Sequence, residues 1–140
     1  MYKYFLYLLL LVCFGCTYEP EVIHFGKDPC EHCKMTITDQ KFGAEIVTNK
    51  GRVYKFDAIE CMIAYIKNSN PEILHILAVP LNNPKNLQNK DSLVFVISHK
   101  IKSPMGASIA ALTNRLAIES LLGKEENVYS WEELYTKIKQ

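Results

Sequence analysis

The chain has 140 residues, of which 49% are apolar and 22% charged, the balance of an ordinary globular protein with room for one compact core. That composition excludes a disordered tail and a long multidomain enzyme. Sixteen Lys and Arg against fifteen Asp and Glu leave a formal charge of +1, too little to hold a polyanion by counterion release, so nucleic acid is not an expected partner.

The first segment carries one early cation, Lys3, then an apolar run from Tyr4 to Phe14 that ends in Gly15-Cys16. The run is too short to cross a bilayer as an ordinary helix. A positive start, an apolar middle and a small residue before the cut describe a secretory signal. Cysteine directly after that small residue resembles the lipobox of bacterial lipoproteins, in which the cysteine is acylated and becomes the new N-terminus. Cys13 stands where a lipobox usually has Leu, and a cut before Cys13 would put Val12 in the small position, which fits worse. Residues 1–15 are therefore expected to be a lipoprotein signal and Cys16 a lipid anchor in a bacterial envelope, facing outside the cytoplasm. A plain secretory signal, with Cys16 an ordinary residue, is the alternative. Removing the signal leaves a near-neutral chain whose unlipidated cysteines are Cys30, Cys33 and Cys61. An odd number cannot form a fully paired disulfide framework outside the cytoplasm, so at least one thiol is free, shared between chains or bound to something, which points towards metal.

Residues 16–28, short, mixed and interrupted by Pro20, read as a tether that lifts the domain off the membrane. The domain is expected over 29–140. Met35–Thr38 alternates in polarity and reads as a strand; Ala44–Thr48 and Arg52–Phe56 flank the turn Asn49-Lys50-Gly51 and read as a hairpin. Asp57 followed by Glu60 resembles a capping box, opening a well-buried helix over Ala58–Lys67 that Asn68–Pro71 stops. Ile73–Val79 predicts a strand and Leu81–Asp91 a loop. Beyond it come strands at Leu93–Ile97 and Ala107–Leu112, a helix capped by Asn114 and ended by Gly123, a short strand at Val128-Tyr129, and a last helix from Trp131 to about Lys139 under a Ser130/Glu133 capping box. The expected fold is α+β: two small ββαβ lobes, at about 29–80 and 91–140, with a C-terminal helix.

The chemistry concentrates at Cys30-Glu31-His32-Cys33-Lys34-Met35. On an extended strand, Cys33 and Met35 would project from one face, a thiolate beside a thioether. Soft sulfur donors select monovalent copper, whereas zinc wants more thiolates or histidines to close a tetrahedron. The same alternation also describes the apolar face of a half-buried strand. Cys30 and His32 add donors beyond what a packed strand requires. The C-x-x-C spacing occurs in thiol oxidoreductases as well, where the first cysteine sits at a helix N-terminus; here no helix is expected to begin at the motif. Cys61, inside the buried helix, reads as a packed small hydrophobe, and His75 and His99 as structural or surface residues.

Taken in order, Cys30-x-x-Cys33-x-Met35 with Thr36-Ile37-Thr38-Asp39, Gly51-x-x-Tyr54-x-Phe56-Asp57-x-x-x-Cys61, Ser103-Pro104-Met105-Gly106 and Trp131-Glu132-Glu133-Leu134 resemble the NosL family across almost the whole mature chain. The resemblance implies two ββαβ lobes and a copper-binding lipoprotein, not an enzyme. Cu(I) would centre on Cys33 and Met35, with Met105 put forward as another thioether donor. Cys30 departs from members that manage with one cysteine, and leaves open a second thiolate ligand or a disulfide competing with copper. The implied role is a metallochaperone that receives copper outside the inner membrane and supplies nitrous-oxide reductase, through a membrane transporter or copper donor. A lipid-anchored thiol-disulfide oxidoreductase using Cys30 and Cys33, and a purely structural lipoprotein, are the competing readings.

Overall fold

The computed structural model describes residues 18–138; the expected signal and the acylation position Cys16 lie outside the described residues. The fold is α+β and uses one strand order twice. The first unit is β1 (Ala44–Thr48), β2 (Val53–Phe56), α1 (Ile59–Ser69) and β3 (Ile73–Ala78). A two-residue strand, β4 (Gln88–Asn89), and a 3-10 turn over Lys90–Ser92 lead into the second, β5 (Val94–Ile97), β6 (Ile109–Leu112), α2 (Arg115–Leu122) and β7 (Val128–Tyr129). The last helix, α3, spans Trp131–Lys137. The sheets run β2-β1-β3-β4 and β6-β5-β7, with every pairing antiparallel. In both, the first strand is central, between its hairpin partner and the strand that follows the helix. The repeat suggested by element order is thus a repeat of topology.

Local chemistry sets the ends of these elements. Gly51 turns the β1–β2 hairpin at φ +76°, a left-handed conformation that suits glycine. Asn114 caps α2 by accepting the Ala117 N–H at 2.9 Å. At α3 the capping box closes both ways: Ser130 Oγ accepts the Glu133 N–H, and the Glu133 carboxylate accepts the Ser130 N–H. Helix α1 departs from expectation, because Ala58 occupies the N-cap without a side-chain cap bond. Asp57 and Glu60 make no capping box; both carboxylates are turned to other partners, described below.

The larger core cluster draws Ile46, Phe56, Met62 and Ile63 from the first unit together with Phe95, Ile109, Trp131 and Leu134 from the second. Phe95 and Trp131 meet edge-on at 5.7 Å between ring centres, a geometry their quadrupoles favour. A smaller cluster of Phe42, Val96, Ile101, Leu112 and Ile118 lies beneath α2. The lobes therefore share one interior. They are also joined along the backbone, since the Leu81 N–H donates to the Ala111 carbonyl at 2.8 Å. Within the expected 81–91 loop, β4 pairs with β3 at Leu77↔Asn89 and becomes an edge of the first sheet.

Two expectations are corrected. Met35–Thr38 is not a strand: only Thr36 bridges, to Pro29, and Lys34 takes a left-handed φ of +64° that breaks the alternation a strand requires. Nor are the described residues of the 16–28 segment a free tether over their length. Ile23 is buried, the Glu21 N–H donates to Glu45 Oε1 at 3.0 Å, and Lys55 Nζ donates to the Val22 carbonyl and to Asp28 Oδ2, each at 2.9 Å. The reason lies in β1, which is buried at all five positions, so both its faces need cover and the segment supplies part of it.

That cover encloses Glu45, which is fully buried with Oε2 unpartnered. Desolvation raises its pKa from 4.5 to about 7, against the lowering influence of the Glu21 amide and Lys55. Between these values the folded state binds more protons than the unfolded one, so stability falls as pH rises through the window, by up to about 3 kcal/mol. Glu45→Gln should therefore melt higher than the parent at pH 8, with the difference shrinking towards pH 4.5. Thermal melts across that range check this, and a pH-independent difference contradicts it.

Candidate metal centre

Pro29 to Thr36 closes on itself as a tight loop. The Cys30 N–H donates to the Met35 carbonyl at 2.7 Å, and the Lys34 N–H to the Cys30 carbonyl at 2.9 Å. A third bond, from the Glu31 N–H to the Lys55 carbonyl at 2.8 Å, ties this loop to β2. The loop is thereby held over the point where β2 ends and α1 begins. That junction contributes Asp57, just before the N-cap Ala58, and Cys61, in the first turn of α1.

One ligand atom each from Cys30, Cys33, Asp57 and Cys61 lies within 4.8 Å of the others. All three cysteines are free thiols, so no Cys30–Cys33 disulfide is present. Cys30 and Cys61 are buried, Cys33 is partly open to solvent, and Asp57 is 4% exposed. Cys33 Sγ donates to Asp57 Oδ2 at 3.8 Å, while Asp57 Oδ1 has no hydrogen-bond partner among the described residues. A buried carboxylate oxygen left in that state costs free energy unless a cation offsets it.

The sulfurs differ in acidity for identifiable reasons. A hydrogen bond from the Cys61 thiol, opposed by burial and reinforced by the backbone N–H groups of Cys33 and Asp57, lowers the Cys30 pKa from 9.0 to about 6. Cys61 is pushed strongly up, first because it donates that bond and then by burial. Burial raises Cys33 too, although the Met35 amide N–H partly counteracts it. Cys30 is thus the most acidic of the three thiols, and a soft cation bound by these sulfurs would displace the thiol protons.

Of the residues expected from sequence, Cys30 and Cys33 are brought together. Met35 follows Cys33 out of the loop with its side chain 51% exposed, and Met105 is 44% exposed in the connection between β5 and β6. The expected common strand face for Cys33 and Met35 does not exist, because Lys34 intervenes in the left-handed region. Met105 is nevertheless tied to this end of the molecule. Ser103 Oγ donates to Glu60 Oε1 at 2.5 Å, and Glu60 directly precedes Cys61. His24 is held at 3.4 Å from Asp28. Asp57 and Cys61 escaped the sequence reading, one taken as a helix cap and the other as core. The Asp57-x-x-x-Cys61 spacing across the start of α1 was the available signal.

Three thiol sulfurs and a carboxylate fit a soft or borderline cation. They also remove an argument made from sequence. With a third cysteine and a carboxylate in reach, the donors are sufficient to close a zinc tetrahedron, so donor count does not separate the metals and softness must.

The family model NosL matches residues 23–136. Among solved structures the fold is similar to the crystal structure of the copper chaperone NosL from Shewanella denitrificans, with a TM-score of 0.70 and 16% sequence identity, covering 89% of this chain and 98% of that one. No curated protein matches the chain in sequence. A match that begins at Ile23, where the chain first becomes buried, and runs into α3 takes in both ββαβ units and every member of the thiol and carboxylate group: the chain belongs to the NosL family.

Proposed function

We propose that this chain is a lipid-anchored carrier of Cu(I) that holds the ion as cargo and passes it to an extracytoplasmic copper enzyme, with nitrous-oxide reductase the recipient that fits the family best. The observation that carries the reading is the group of three free thiols around a buried carboxylate with an unpartnered oxygen. Its support is chemical: thiolate and thioether donors prefer monovalent copper to harder divalent ions. The copper chaperone from Shewanella denitrificans, whose fold this chain shares, adds to it.

The arrangement suits a carrier. Cys30 and Cys61 lie inside, where water does not compete, while Cys33 is partly exposed and Met35 more so. Copper would enter through Cys33 and Met35, settle on the inner sulfurs of Cys30 and Cys61 as thiol protons leave, and depart by the reverse exchange, one ligand at a time. Met105, on the neighbouring connection, is the further thioether assigned to this path. Nothing in the role requires covalent chemistry on a substrate. Thiol-disulfide exchange is disfavoured, because the more acidic thiol, Cys30, is fully buried and no described helix begins at the motif to present it.

Reduced protein lacking residues 1–16 should bind about one Cu(I) per chain and keep it against Zn(II) in a competition titration. Equal or stronger zinc retention overturns the copper assignment. Cys61→Ala should lower the Cu(I) affinity by more than the roughly 10- to 100-fold typical of losing a partner outside the coordination shell. Unchanged affinity would return Cys61 to the core.

Met35→Leu isolates the thioether. At a half-exposed position this volume-conserving change should cost well under about 1.5 kcal/mol of stability, while copper affinity drops. Chelator competition beside a denaturation curve reads both; equal affinity in the two proteins removes Met35 from the site. Cys16→Ser should move the protein from the membrane to the soluble extracytoplasmic fraction with intrinsic copper affinity unaltered. Firm retention on the membrane would mean that the apolar segment stays as an uncleaved anchor.

A further inference from the structure

The first described residue does not trail away from the domain. A Cβ built on Gly51 would stand 2.5 Å from Cδ1 and Cε1 of Tyr18, so the Tyr18 ring is packed against the tip of the β1–β2 hairpin. Two residues of extended chain reach at most about 7 Å, and Cys16 is two residues before Tyr18. If an acyl group is attached to Cys16, the hairpin tip is held next to the lipid. This tip is cationic: Lys50 and Arg52 flank Gly51, both are exposed, and neither has a carboxylate partner at ion-pair distance among the described residues. Together with Tyr54, Asn70 and Glu72 they line an open cavity of about 370 Å³. Glu72 is its one anionic residue.

We propose that the β1–β2 hairpin tip is the membrane-facing end of this protein, with Lys50 and Arg52 set against phospholipid headgroup phosphates. The inference rests on the acylation of Cys16 proposed above and deepens it, because it replaces a loosely tethered domain by an oriented one. Arginine suits phosphate through its paired N–H donors, and lysine does so as a point charge. The five residue steps from Arg52 to Asp57 along β2 span about 16 Å. The thiol group is therefore carried at the far end of the hairpin, away from the lipid and open to a partner standing at that height above the membrane.

The test uses the acylated full chain in vesicles of phosphatidylethanolamine and phosphatidylglycerol, beside the Cys16→Ser protein in solution. Flotation reports the anchor; modification of lysines by a membrane-impermeant amine reagent, read by mass spectrometry, reports the face. Lys50 should label at least about five-fold more slowly on vesicles than in solution, with Lys102 and Lys124 unchanged. Arg52→Glu should restore at least about half of the lost Lys50 labelling without altering flotation. If the parent floats but Lys50 labels as it does in solution, or Arg52→Glu leaves the protection intact, the orientation is wrong and the anchor stands. If the parent does not float, both fail. Protection of Lys50 in the Cys16→Ser protein by millimolar inorganic phosphate alone would make the tip a free-anion site and overturn the lipid assignment.

Discussion

Asp57 directly follows β2, its carboxylate almost wholly buried, one oxygen near Cys33 and the other unpartnered among the described residues. A protein interior tolerates such a group only where something else offsets its desolvation. Here the surroundings are three thiols, and the structure around them is arranged to keep them close. The Glu31 to Lys55 backbone bond pins the cysteine loop to β2, and the start of α1 is left without a side-chain cap so that Asp57 faces the sulfurs. Capping contributes about 1 kcal/mol to a helix. In α1 that contribution is absent, Ala58 being the N-cap while the Asp57 carboxylate lies beside the thiols, whereas α2 and α3 are both capped.

The shared core explains how a site so close to the surface stays in register. Phe56 immediately precedes Asp57, and Met62 and Ile63 follow Cys61; all three are fully buried or nearly so in the cluster that also takes residues from the second unit. The second unit thus clamps the helix bearing Cys61 from behind, and the Ser103 to Glu60 bond clamps it from the side. Burying these side chains is worth roughly 1.5–3 kcal/mol each, which is the scale of force holding the site against the repulsion of its own acidic groups.

The N-terminal segment plays two parts that a flexible linker could not combine. Through Ile23, Glu21 and the Lys55 contacts it covers the central strand, and through Asp28, whose carbonyl accepts the Ile37 N–H, it delivers the chain directly into the cysteine loop. No described helix is long and apolar enough to cross a membrane. Because the segment is packed, attachment at its start bears on the position of the whole domain.

Much of this was legible in the sequence for stated physical reasons. Turn chemistry at Asn49-Lys50-Gly51, the Asn114 cap, the Ser130/Glu133 box and the β-branched run at Ile73 are local signals, and local energetics decide such features. They placed most of the elements and the repeated strand order. The Cys30, Cys33 and Met35 donors were visible for the same reason, being close in sequence. What stayed hidden depends on contacts between distant segments. Alternation at Met35–Thr38 predicted a strand, but its pairing with the preceding segment amounts to one bridge, at Thr36, and Lys34 turns the chain. Asp57 resembled a cap and Cys61 a core residue because sequence shows neighbours along the chain, and the neighbours that give these two their chemistry are 24 to 31 positions away. Only tertiary packing, with the Glu31 to Lys55 bond holding the cysteine loop over the start of α1, brought the third thiol and the carboxylate to the other two sulfurs.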